Sequence, residues 1–366
     1  MSHRVLAAQS APLLGHLDPD FVKLMDRVQA DLRGLFGTTN RFTLPISGTG
    51  SAGMETCFVN LVEPGDRVVV GIHGVFGERM KDLAQRQGGE VVEVRAEYGK
   101  SLDIDAMIQA IRSGPTKVAA FVHAETSTGV LQPPREILQA AKAHGALTIL
   151  DCVTSLGGVE VALDAWQVDA SYSGTQKCLS VPPGLSPVSF SDAAMQKAKN
   201  RVTKSPSWYL DVNLLGGYWG GDRVYHHTAP ISMVYGLAAG LDEVFEEGLE
   251  ERRTRHRRVA EALWRGLEQL GLACLVASEI RTPMITSIRV PDGVDEIAVR
   301  KHLLSAHKIE IGGGLGTLKG RVWRIGLLGH GARMGSVLRV LSALGDALGA
   351  QGKRTDVGAA LRCARE

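Results

Sequence analysis

Lys177 lies in Ser173-Gly-Thr-Gln-Lys177-Cys-Leu-Ser-Val-Pro-Pro-Gly184, after a short strand-like run and before a stretch rich in proline and glycine. A lysine amine attacks carbonyls and forms Schiff bases when a fixed, partly desolvated position keeps it neutral. The plainer alternative is a surface lysine beside a turn. Asp151 changes the balance. It ends the apolar run Leu147–Leu150, and an acid at the end of a buried strand in an open α/β sheet faces the ligand crevice. There a carboxylate can hold a protonated ring nitrogen and keep an aromatic cofactor an electron sink. Capping a following helix is the alternative, although Thr154 and Ser155 could do that as well. The 26-residue separation of Asp151 and Lys177 fits two successive strand ends of one sheet.

Gly48-Thr-Gly-Ser-Ala-Gly53 matches GxGxxG between a strand-like segment and a helical one. A glycine loop at a helix N-terminus presents backbone N–H groups to a phosphate. A dinucleotide site would also want an acid at the end of the next strand, but Val68–Ile72 is followed by His73-Gly74. Thr49, Gly50 and Ser51 are therefore read as a monophosphate cradle. Glu125-Thr-Ser-Thr-Gly129 also follows a strand, and its hydroxyls could bond a cofactor ring or make only local turns. Phe76 could stack on a cofactor face or belong to the core. Arg324, in Val322-Trp-Arg-Ile-Gly-Leu-Leu-Gly329, needs an anion on an otherwise apolar strand. A substrate carboxylate suits its bidentate fork, with a structural ion pair as the alternative. Tyr225-His-His-Thr228 has no third ligand at a useful spacing, so no metal site is expected.

The elements that must position these residues follow from periodicity. Candidate strands Arg67–Ile72, Glu90–Val94, Val118–His123, Leu147–Asp151, Ala170–Ser173 and Pro187–Phe190 alternate with amphipathic stretches such as Gly77–Gly88 and Arg135–His144. Nearly continuous apolar strands separated by helices predict a mostly parallel sheet covered on both faces. From about Leu237 a long helical segment runs to about Leu270. Strands at Ser287–Val290 and Val322–Ile325 and helices around Glu296–Ala306 and Met334–Gly349 then predict a smaller α/β domain. The last dozen residues read as a frayed tail.

The 366 residues are 44% hydrophobic and 22% charged with a net charge of +2, enough for a large core and a second domain and with no bias toward nucleic acid or membranes. The one basic cluster, Arg252–Arg258, sits among acidic residues and reads as a solvated helix face. Five single cysteines without a CxxC pair fit a reducing compartment. No apolar run approaches the ~18–20 residues of a bilayer span. A cytoplasmic protein is expected.

Taken in order, SGTGSAGME (Ser47–Glu55), ETSTGVLQP (Glu125–Pro133), DCVTSLGG (Asp151–Gly158), SGTQKCLSVPPG (Ser173–Gly184), YHHTAP (Tyr225–Pro230) and IEIGGGLG (Ile309–Gly316) resemble the class V, fold-type I aminotransferases, in particular the alanine–glyoxylate / serine–pyruvate family. The resemblance runs from Gly15 to Gly329. It implies a large domain over 15–245 with a mostly parallel seven-stranded sheet covered by helices. An N-terminal segment 1–14 would precede it and a small C-terminal α/β domain 246–366 would follow. It implies pyridoxal 5′-phosphate (PLP, alternating with its pyridoxamine form) on Lys177 and Asp151 at the pyridine nitrogen. Gln176 and Thr126 would bond the cofactor, and Phe76 would stack on it. Thr49, Gly50 and Ser51 would hold the phosphate, joined by Tyr225 and Thr228 from the partner of a homodimer. Arg324 would take the carboxylate of a small amino acid or 2-oxo acid.

Three features depart from the family pattern. Phe76 stands where the family usually has tryptophan, and Ser51 where it has histidine. Only fourteen residues precede Gly15, where the family has a Gly-Pro-rich loop lining the pocket, so either another segment replaces that loop, the pocket is more open, or the start of the chain lies further upstream. The function implied is ping-pong transamination from alanine or serine to glyoxylate or pyruvate. The rivals are a transaminase for 2-aminoethylphosphonate or pyridoxamine, a desulfurase using Cys274, and a nicotinamide oxidoreductase built on the glycine loop.

Overall fold

The computed structural model describes residues 1–366. Its strands are β1 (Phe42–Ser47), β2 (Arg67–Ile72), β3 (Glu90–Arg95), β4 (Thr116–Val122), β5 (Ala124–Glu125), β6 (Val130–Leu131), β7 (Leu147–Asp151), β8 (Ala170–Tyr172), β9 (Leu185–Phe190), β10 (Ile285–Arg289), β11 (Gly312–Gly313) and β12 (Val322–Gly326). Seven of them form one sheet in the order β1-β9-β8-β7-β4-β2-β3, as the resemblance implies. Only β9 runs against the others. Central strands β4 and β7 are buried along nearly their whole length, which explains their unbroken apolar character. Edge strand β3 alternates instead. The other edge, β1, is the strand hardest to read from sequence because Pro45 interrupts it. An edge strand tolerates a residue that donates no ladder hydrogen bond.

Because β1, β2, β4, β7 and β8 share one direction, their C-termini open on the same side of the sheet. Ser47, Ile72, Val122, Asp151 and Tyr172 thus deliver five successive loops to one crevice. β10, β12 and β11 form a second, antiparallel sheet backed by helices Glu296–His307 and Met334–Gly349. The buried apolar residues fall into two main clusters, one spanning Val5 to Val244 and the other Val259 to Ala364. No helix is long and apolar enough to cross a membrane.

Two sequence expectations need correcting. The single helix from Leu237 to Leu270 is two helices, Ile231–Glu247 and Leu249–Gln269, broken at Gly248, whose φ of +85° suits glycine. The supposed frayed tail is helix Val357–Arg365. Asp356 caps it by accepting from the Ala359 N–H, and Ala360 and Ala364, one turn apart, are fully buried. Alanines at that spacing let a helix lie close against its neighbours, a signal that charged flanking residues conceal.

Candidate active site

Asp151 ends β7 and is almost fully buried. Its carboxylate accepts from the Val153 N–H at 2.8 Å and the Tyr172 hydroxyl at 2.7 Å. Burial pushes its pKa up to about 7, against these two hydrogen bonds; the nearby Glu125 carboxyl pushes the same way and Lys177 the other. No lysine or arginine pairs with it directly. A buried carboxylate so placed gains most from a cation inserted beside it.

Lys177 sits on the turn after β8, its N–H on the Gly174 carbonyl and its own carbonyl accepting from Ser180. It is half-buried, and its pKa is lowered first by desolvation and then by the like charge of Arg324. That favours the neutral amine a Schiff base requires. Arg324 reaches across from β12. Its Nε donates to the Gly313 carbonyl at 2.9 Å and its Nη1 to the Thr126 carbonyl at 3.0 Å. Both partners are neutral, so the structural ion pair weighed as an alternative is not what holds Arg324. The charge remains available to an anion.

The glycine loop meets the lysine loop directly. A Cβ added to Gly50 would lie 3.5 Å from the Ser173 carbonyl and 3.6 Å from the Gly174 Cα. Thr49 occupies the N-cap of helix Gly50–Leu61 without a side-chain cap bond, leaving N–H groups at the helix start unclaimed by its hydroxyl. Ser51, exposed beside it, accepts from Arg79 at 3.2 Å. The same guanidinium lies 5.0 Å over the Phe76 ring. Phe76 is half-buried, and its N–H donates to the Glu125 carboxylate at 3.2 Å. Glu125 is fully buried and also bonds both the N–H and the hydroxyl of Ser127; burial raises its pKa. The buried Thr126 hydroxyl pairs with that of Thr154.

Lys177, Asp151, Arg324, Thr126, Gly50, Ser51 and Phe76 therefore share one crevice through direct contacts or mutual fields. Gln176 is exposed at its rim. Tyr225 and Thr228 are exposed and bond each other at 3.4 Å, while Tyr225 packs against the His16 ring at 5.4 Å. Within one chain neither touches the other site residues. Their link to the glycine loop is indirect, through the neighbouring His227, which bonds Ser47 at 2.7 Å.

Sequence reasoning missed three supports. Tyr172 could have been suspected as the residue pairing with Asp151 across adjacent parallel strands. Arg79 follows Phe76 by three positions, a helical neighbour that the glycine-loop reading did not reach. The third support corrects the reading of Arg252–Arg258 as solvated. Arg252 is buried; it donates to the Cys178 carbonyl at 2.5 Å and the Gly157 carbonyl at 3.2 Å, and it pairs with Glu247. Arg255 bonds the Gly329 and Ala332 carbonyls, and the fully buried His256 accepts from the Gly329 N–H at 2.9 Å. This face of the helix is a clamp behind the Lys177 turn. Cys274 carries a pKa raised by burial, unlike an activated thiolate nucleophile.

The elevated pKa of Asp151 has a testable sign. Below pH 4 the folded and unfolded forms both hold the proton. Between pH 4 and about 7 only the folded form keeps it, so stability falls as pH rises, and above 7 the penalty is constant. Asp151→Asn in the cofactor-free protein should therefore raise the thermal midpoint at pH 8, the gain shrinking toward pH 4. An equal shift at both pH values would contradict this account.

Residues 5–335 match the profile described as aminotransferase class-V. The alanine–glyoxylate aminotransferase of Drosophila melanogaster is 40% identical over 352 residues, 95% of this chain and 89% of that protein. The (S)-ureidoglycine–glyoxylate transaminase of Bacillus subtilis (strain 168) is 37% identical over 379 residues, 99% of this chain and 91% of that one. The crystal structure of alanine–glyoxylate aminotransferase from Nostoc sp. is 46% identical, with a TM-score of 0.93 over 94% of this chain and 91% of that chain. With a family match over most of its length and crevice geometry of this kind, the chain belongs to the class V aminotransferases and is a transaminase of fold-type I.

Proposed function

We propose that this transaminase uses PLP to move the amino group of a small amino acid, alanine or serine, to glyoxylate or pyruvate in two ping-pong half-reactions. The observation that carries the reading is the buried Asp151. It has a pKa pushed to about 7 and no cationic side chain bonded to it, and it shares a crevice with a desolvated lysine and an arginine whose hydrogen bonds go to neutral carbonyls. A protonated pyridine nitrogen supplies the missing cation. The N–H groups at the start of helix Gly50–Leu61 suit a phosphate, and the half-buried Phe76 offers a ring face. The residues present thus fit the cofactor. When bound, PLP supplies a conjugated electron sink for the carbanion left at the substrate Cα.

In this reading Lys177 holds the cofactor covalently between turnovers. Once the substrate's amine has displaced it, the neutral amine of Lys177 takes the substrate's α-proton and delivers it as acid to the cofactor carbon on the other side of the amino nitrogen. Asp151 keeps the ring nitrogen protonated, and the lower the dielectric around it the stronger that pairing. Arg324, pinned by two carbonyls, fixes the substrate carboxylate so that the Cα proton faces Lys177. Thr49, Gly50 and Ser51 bind the phosphate with Arg79 reinforcing Ser51, and Phe76, Thr126 and Gln176 contact the ring. The exposure of Tyr225 and Thr228 supports a homodimer in which they complete the partner's phosphate site. The break at Gly248 and the two apolar clusters support a cofactor-binding domain over 15–245 and a small domain over 246–366. Buried, unpaired Cys57, Cys152 and Cys178 suit a cytoplasmic location.

A panel of amino donors against glyoxylate and pyruvate tests the assignment. Alanine or serine with glyoxylate should give the highest kcat/KM. The identity to the ureidoglycine transaminase makes a ureido-substituted glycine the necessary comparison donor. Preference for that donor, for pyridoxamine or for 2-aminoethylphosphonate by more than tenfold would overturn the small-amino-acid reading.

A further inference from the structure

Away from the crevice, the small domain brings His302, His307 and Asp346 together. His302 lies within helix Glu296–His307 and His307 ends it, while Asp346 projects from helix Met334–Gly349. The Nε2 atoms of both imidazoles meet a single carboxylate oxygen of Asp346, at 2.8 Å and 2.7 Å. The rings stand 5.8 Å apart, and one donor atom from each of the three residues lies within 4.8 Å of the others. The imidazoles are about one-third exposed and the carboxylate about half, so an ion could enter and keep water ligands. The nearby Lys308 does not compete for the carboxylate, because its amine donates to the Ser305 carbonyl at 2.9 Å.

We infer that His302, His307 and Asp346 form a binding site for a borderline divalent transition ion, zinc being the natural occupant. Two imidazole nitrogens and one carboxylate oxygen are the donors such ions favour, and three protein ligands plus water complete a tetrahedron. Ligand bonds of about 2.0–2.1 Å put neighbouring donors roughly 3.3 Å apart. The two nitrogen–oxygen separations, 2.8 and 2.7 Å, need to open by only about 0.5 Å, within reach of a rotating aspartate, and the two imidazole nitrogens already lie within 4.8 Å of each other. The ion would take the place of the hydrogen bonds that now join both rings to the carboxylate. It would also cross-link two helices now joined by packing and by the hydrogen bonds of the two imidazoles to Asp346.

The test uses untagged, cofactor-loaded, chelator-washed protein titrated with zinc chloride by calorimetry, with the thermal midpoint followed in parallel. One zinc per chain should bind saturably and raise the midpoint. His302→Ala/His307→Ala should weaken binding about tenfold or more and abolish the rise. Asp346→Asn, which can still bond the imidazoles and so guards against a folding artefact, should weaken binding without lowering the metal-free midpoint. His226→Gln/His227→Gln controls for the other adjacent histidines and should leave binding intact. No saturable uptake by the parent protein, or undiminished uptake by the His302/His307 double variant, would overturn the site.

Discussion

Lys177→Ala is expected to reduce turnover with every amino donor by more than about 10⁴-fold, the upper end of what a single positioned acid–base group contributes. The loss exceeds that figure because the same amine is nucleophile and proton carrier. The variant should nevertheless fold. The hydrogen bonds of Lys177 in the turn come from its main chain, to Gly174 and Ser180, and an alanine keeps them. Three readouts separate the chemistry from damage to the fold: the visible absorbance of lysine-linked cofactor disappears, cofactor retention on ultrafiltration persists through the phosphate loop, and added small amines restore part of the rate. Turnover within tenfold of the parent would end the assignment of Lys177.

The second large effect concerns Arg324. Removing a charge-assisted bidentate contact costs about 1.5–3 kcal/mol, so Arg324→Ala should lower kcat/KM for amino and 2-oxo acids by roughly 10–150-fold. Amines lacking a carboxylate should react at the parental rate, because nothing they use has been lost. Arg324→Lys separates the two duties of this side chain. It keeps a charge but cannot span both the Gly313 and Thr126 carbonyls while presenting a fork, so a defect close to that of alanine is expected. An equal loss for carboxylate-free amines would show that Arg324 shapes the pocket rather than binding the acid.

The sheet was largely legible because its buried strands carry their own signal. Leu147–Asp151 is apolar until the acid that ends it, and its bounds in the structure are those read from the sequence. Asp151 and Arg324 stand out because a charge at the end or in the middle of an apolar run is costly there, whereas Lys177 stands out only through its place after a strand and its spacing from Asp151. What stayed hidden depends on partners distant in sequence. Arg252 looks like any arginine on a charged helix; only the fold puts the Cys178 carbonyl against it. Pro45 disguises β1 because edge position is a property of the whole sheet. The terminal helix reads as a tail because Ala360 and Ala364 bury against other helices, Leu249–Gln269 and Met334–Gly349, rather than within their own segment. Nothing local relates Tyr225 and Thr228 to the glycine loop, and within one chain they stand apart from the other site residues, linked to that loop only through His227 and Ser47.

The clamp formed by Arg252, Arg255 and His256 bears on how the protein matures. The Lys177 turn is held by a residue 74 positions later, and Thr126 by one 198 positions later. A chain emerging from the ribosome therefore completes its sheet, with Asp151 and the lysine in place, well before the parts that lock the turn exist. During that interval the crevice lacks Arg324, which closes on the Thr126 carbonyl from β12. A fully assembled crevice thus belongs to the end of synthesis, when β12 docks and brings Arg324 to the Thr126 carbonyl, and it marks that the last third of the polypeptide has found its place.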